Sequence, residues 1–181
     1  MTLWKIDPAH SEINFRVKHL VVSTVTGHFA QFDAVIESGK EDFSDAIITF
    51  EADVASIDTK NQQRDQHLKS PDFFDADRYP KMKFVSTSVE RISDHELRVK
   101  GNLTMRVVTR EITLDVGYNG TVAGFEGNQV AGFEINTKLN RFDFGLQWSA
   151  LTEAGNVVVS NEVRIEILAE FKKAAQQLKA A

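Results

Sequence analysis

Five histidines, His10, His19, His28, His67 and His95, are the side chains best suited to ligate a metal or move a proton. A metal needs several such donors brought together, and the short-range patterns that do this are His-x-His, Glu-x-x-His and His-x-x-x-His. None of these spacings occurs, and Asp65 and His67, two apart, would diverge on a helix. There is no Gly-x-Ser-x-Gly elbow to present a nucleophilic serine and no glycine loop to cradle a phosphate. The carboxylates form no recognisable acid and base pair. These residues therefore point to no metal and no catalytic group, with His10, His19 and His28 making structural hydrogen bonds at strand ends.

What must position the side chains is a chain of 181 residues, long enough for one domain with its own core. It contains no cysteine, so disulfides and thiolate metal sites are excluded and packing alone must stabilise it. The net charge of -5 disfavours generic binding to nucleic acid or to an anionic membrane surface. No basic stretch followed by an apolar core opens the sequence, which suggests a cytoplasmic protein, or a periplasmic one if the chain is a processed form. No window approaches the roughly 18 apolar residues that cross a bilayer as a helix.

The dominant pattern is alternation. In residues 11–18, Ile13, Phe15 and Val17 share one side and Glu12, Asn14, Arg16 and Lys18 the other, as in a half-buried strand. Segment 21–37 continues the pattern, but its apolar set moves from odd positions (Val21, Val25) to even ones (Phe32, Ala34, Ile36), which a bend at Gly27 would explain. Further strands are expected at 45–55, 82–92, 96–107, 110–118, 129–139 and 156–169, making eight in all. Turn residues separate them and helical crossovers are mostly absent, so the pairing should be antiparallel. Eight such strands close into an all-β barrel whose interior is either filled by side chains or just wide enough for one ligand.

One segment, about 59–76, breaks the pattern. Residues 59–69 are polar and rich in helix formers, with a Thr59…Gln62 capping box, and Ser70-Pro71-Asp72 reads as a second helix start. A helical excursion in an all-β chain is expected to cover the barrel mouth. Residues 171–181 read as a polar helical or disordered tail following a barrel domain of residues 1–170.

Four groups of residues resemble the YceI-like family of polyisoprenoid-binding, lipocalin-like barrels, over residues 3 to 169. They are Trp4, Ile6-Asp7, His10-Ser11, Ile13, Phe15, His19-Leu20, Val25 and Gly27-His28-Phe29; Arg64 to Ser70 with Asp72-Phe73-Phe74-Asp75, Tyr79-Pro80, Phe84 and Ser86; Gly101 to Thr104 with Thr109-Arg110; and Gly132-Phe133 with Asn140 to Gly145. Two residues depart from the family pattern: Val107 stands where glycine is common and Phe142 where a small polar residue is common. The resemblance implies an eight-stranded antiparallel lipocalin-like barrel holding an isoprenoid or related amphiphile, with no obligatory cofactor, and a possible homodimer.

A polyprenyl tail has no hydrogen-bonding groups, so alternating strands supply all the lining it needs. The expected lining is Phe15, Val17, Phe32, Phe50, Phe84, Leu103, Leu114, Phe133 and Ile165, with Arg64, His67, Lys69 and Arg141 near the mouth as donors to a polar head. Three functions remain open at this level. They are carriage or storage of such a lipid, hydrolysis or isomerisation of a bound lipid, and a structural dimer with a filled core.

Overall fold

In the computed structural model, which describes residues 1–125 and 127–175, the alternation in residues 11–18 becomes a strand with Ile13 buried and Glu12, Arg16 and Lys18 exposed. The strands in chain order are β1 (Thr2–Ile6), β2 (Glu12–His19), β3 (Ser23–Phe29), β4 (Phe32–Ser38), β5 (Ile47–Asp53), β6 (Ile57–Asp58), β7 (Lys81–Ser93), β8 (Glu96–Met105), β9 (Val108–Ala123), β10 (Gln129–Asn140) and β11 (Val159–Lys173). One helix, α1 (Gln62–Lys69), interrupts them. All the ladders are antiparallel.

Several of these strands are lengths of one broken wall. Both β1 and β2 pair with β11, Ile6 opposite Phe171 and Val17 opposite Val163. β3 and β4 lie in turn against β2 and β1, and β6 and β5 against β3 and β4. Counted this way, eight antiparallel walls close into a barrel, in agreement with the sequence pattern. Closure leaves no long sheet edge.

The break in the second wall is at Ala30-Gln31, not at Gly27, which sits within β3 opposite Phe15. There a Cβ would meet Phe15 Cζ at 2.3 Å, so the glycine serves a close ring approach rather than a bend. Gly101 plays the same part for Phe84, whose Cζ would lie 2.4 Å from an added Cβ.

The helix also starts later than expected. Asn61 is its cap, accepting from Arg64 N–H at 3.0 Å, because the Thr59 hydroxyl is committed to Asp65 at 2.6 Å. Ser70 begins no second helix. It caps a turn, its carbonyl accepting from Phe73 and Asp75 N–H. At the C-terminus the sheet runs to Lys173, with Phe171 buried against the core, so the expected tail begins later; residues 176–181 lie outside the described residues.

The barrel has two unlike ends. At one, the loop between β4 and β5 folds inward and seats Phe43, 1% exposed, against Trp4, Tyr118 and Phe133 at ring distances of 5.4, 5.7 and 5.3 Å. Phe43 holds a left-handed φ of 60°, a conformation that persists because the loop around it is fixed. Asp45 does the fixing, accepting from the Ser38 hydroxyl at 2.7 Å and from Gly39 and Lys40 N–H at 3.0 and 3.1 Å. At the other end, the α1 segment lies across the opening, with Phe74 against Phe29 and Phe73 against Trp148.

Candidate functional site

Between the Phe43 floor and the α1 roof the barrel encloses a cavity of about 430 Å³, within the range of small-molecule sites. Its wall is apolar because the strands turn alternate residues inward and those residues are overwhelmingly aliphatic and aromatic. Of the nine residues expected to line it, Phe15, Val17, Phe50, Phe84, Leu103, Leu114, Phe133 and Ile165 do so. Phe32 does not: it opens β4 beside the Ala30-Gln31 break and packs, half-buried, against the core. The roof adds Leu68, Phe73, Phe74 and Trp148. Trp148 was invisible to periodicity because it stands in an irregular segment between β10 and β11.

Three of the four expected head-group residues, Arg64, His67 and Arg141, border the cavity, while Lys69 at the end of α1 does not. Arg64 donates from Nε to Thr59 Oγ1 and from Nη2 to the Thr59 carbonyl, both at 2.8 Å. His67 meets Asp72 Oδ2 through Nε2 at 2.9 Å, and its ring stands nearly perpendicular to Trp148 at 4.8 Å. Lys18 and His19, at the mouth end of β2, also border the cavity and were not singled out, since they read as an exposed strand terminus.

Arg141 is the most constrained of the set. It is buried, and its guanidinium donates to the carbonyls of Leu146 and Trp148 at 2.7 Å, Ser160 at 2.9 Å and Val159 at 3.3 Å. These bonds tie the irregular segment after β10 to the start of β11, and so shape the rim. Burial lowers the Arg141 pKa from its ordinary value.

A second ionisable group closes the barrel seam from outside. Asp7, in the break between β1 and β2, accepts from Lys172 Nζ at 2.6 Å, from His10 Nδ1 at 2.8 Å and from Ala9 N–H at 3.0 Å. Glu170 stands 3.8 Å from the same His10 nitrogen. Asp7, His10 and Glu170 are close enough together to offer a metal three donors, but both Asp7 oxygens are already engaged by protein donors. The arrangement reads as a clasp between β1, β2 and β11. Its members, Asp7 and His10, belong to the first group of residues noted in the sequence, whose spacing alone gave no hint of the pairing.

The comparisons with known proteins agree with this geometry. The model of the YceI-like domain matches residues 4–171. A UPF0312 protein of Staphylococcus aureus (strain MSSA476) is 41% identical over 172 residues, covering 94% of this chain and 98% of the relative. The crystal structure of the Campylobacter jejuni YceI protein superposes with a TM-score of 0.75 at 32% identity, over 87% of this chain and 90% of that one. A polyisoprenoid binding domain from Saccharophagus degradans, implicated in plant cell wall breakdown, superposes with a TM-score of 0.72 over 94% of this chain and 98% of its own. At 13% identity that last likeness is one of fold.

Proposed function

The chain belongs to the YceI-like family, and on that premise we propose that its barrel binds a long-chain amphiphile, a polyisoprenoid, an isoprenoid quinone or a similar lipid, and carries or stores it. The observation that carries the reading is the apolar cavity of about 430 Å³ inside a closed barrel. Phe15, Val17, Phe50, Phe84, Leu103, Leu114, Phe133 and Ile165 would surround the tail, and Arg64, His67 and Arg141 would meet the head. The polyisoprenoid binding domain with the same fold supports the choice of tail.

The energetics suit reversible carriage. Each buried CH₂ is worth about 0.8 kcal/mol against water, so a tail of tens of carbons would bind far more tightly than any carrier needs. A lipid comes from a bilayer, however, where its tail is already out of water. Transfer into the barrel is then nearly balanced, and small differences at the head decide retention. We assign no catalytic residue and no obligatory cofactor. Cytoplasmic residence and a homodimeric state stand as parts of the proposal, to be checked by cell fractionation and light scattering.

Native mass spectrometry of freshly purified protein, followed by organic extraction, tests the reading directly. A stoichiometric isoprenoid, quinone or fatty-acyl species is the expected result. A clean apo mass that does not change after incubation with total lipid extract would overturn it.

A further inference from the structure

We propose that the amphiphile held by this cavity is anionic at its head, a carboxylate or a phosphate ester, and that Arg64 and Arg141 recognise that charge. This rests on the carriage reading above and narrows its ligand class. The ionisable residues bordering the cavity are Lys18, His19, Arg64, His67 and Arg141, and no aspartate or glutamate joins them. That one-signed set runs against the chain as a whole, where 26 acidic residues outnumber 21 lysines and arginines.

Arg141 shows why the imbalance matters. Its partners are four neutral carbonyls, which satisfy N–H groups without cancelling the charge, and no carboxylate lies within ion-pair distance among the described residues. Arg64 is in the same position, since neighbouring Asp65 is turned to Thr59. His67 alone has an acidic partner, Asp72, which does not border the cavity. A buried cation without a counter-charge is costly, and an anion arriving at the mouth relieves that cost. A guanidinium carries five N–H donors, and the bonds described leave Nη1 of Arg64 and one hydrogen on Nη2 of Arg141 uncommitted. A neutral alcohol or quinone oxygen accepts one such bond but neutralises nothing.

The test compares ligands with one tail and two heads on delipidated protein: geranylgeranyl monophosphate and geranylgeraniol, with inorganic phosphate as a third probe. The phosphate ester is expected to bind at least about tenfold more tightly than the alcohol, the effect of one good charge-assisted bond. In Arg64→Gln the ratio of the two affinities should fall toward one. Arg64 is the residue to change because Arg141 also holds the rim together. Equal or tighter binding of the alcohol, or a ratio unmoved by Arg64→Gln, overturns the inference. So does displacement by inorganic phosphate as effective as by the prenyl ester, since the tail would then be irrelevant. Binding of neither prenyl compound has a different meaning: it overturns carriage itself, and the head-group inference with it.

Discussion

The ring of Phe15 lies flat over Gly27, its cross-strand neighbour, so closely that a methyl group there would stand 2.3 Å from Cζ. Since Phe15 also lines the cavity, the glycine sets how far the ring withdraws from the interior. Gly27→Ala must push the ring inward or part the two strands. We expect a loss of about 1–3 kcal/mol, the usual cost of overpacking, and a melting temperature lower by roughly 3–10 °C. Adding Phe15→Leu should recover part of the loss, because the two changes act on one contact. Thermal melts of the two single variants and the pair decide it; purely additive effects would contradict the contact.

This contact also shows where sequence reasoning ran out. A two-residue period is enough to lay out eight walls, because inward and outward faces alternate whatever fills the interior. For the same reason it does not separate a cavity from a packed core, as Phe15 and Phe50, which line the cavity, follow the same alternation as Leu97 and Val99 on the core face. A glycine inside a strand reads alike whether it makes a bend or admits a ring, and Gly27 does the second. Trp4 and its neighbours form a strand too short for alternation to register. Both Thr59 and Asn61 are good cap residues, and only the tertiary bond from Thr59 to Asp65 leaves the role to Asn61. The head-group residues Arg64, His67 and Arg141 were legible as basic residues in two separate groups. That they share one rim follows from the barrel's closure.

Phe50→Trp is expected to reduce the lipid that co-purifies with the protein while leaving it folded. Phe50 is half-buried and faces open cavity between Ala34 and Phe84, so the larger ring occupies ligand space rather than displacing protein atoms. Its melting temperature should stay within about 3 °C of the parent, since overpacking is costly only where space is already filled. Phe133→Trp should behave differently. Phe133 meets Phe43, Tyr118 and Phe171 at 5.3, 5.4 and 5.8 Å in the floor, and a larger ring there costs stability. Lipid mass analysis alongside a melt separates the two cases; unchanged lipid content in Phe50→Trp would place the tail elsewhere.

Arg141→Met should be among the most damaging single changes at the rim. It removes donors from the carbonyls of Leu146, Trp148, Val159 and Ser160 at once. Orphaned buried acceptors cost about 1–3 kcal/mol each, partly recovered where water reaches them, so a net loss of about 3 kcal/mol and roughly 6–12 °C is expected. Arg141→Lys keeps the charge but has no planar fork to reach carbonyls on two segments, and should recover only part. A Met variant melting within about 2 °C of the parent would show that the clamp does not hold the rim.

The seam clasp predicts a stability maximum between two titrations. Lys172 first, and then His10, stabilise ionised Asp7, holding its pKa down at about 2 from an ordinary 3.8. A carboxylate whose pKa is depressed by folding contributes stability above its unfolded value, and that contribution is lost as pH falls through 3.8 toward 2. His10 works in the opposite sense. Its hydrogen bond to Asp7 raises its pKa above 6.5, so its contribution is complete below 6.5 and disappears as pH rises through the folded value. The clasp should therefore be strongest from about pH 4 to 6.5, the interval between the two unfolded values. Asp7→Asn keeps an oxygen for the Ala9 N–H but loses the charge. Its melting temperature should fall furthest below the parent in that interval, and the two curves should converge near pH 2, where the parent carboxylate is also becoming neutral. Melts of both proteins from acid to mildly alkaline pH provide the measurement, and a constant offset across the range would mean that the ionised Asp7 contributes nothing to closure.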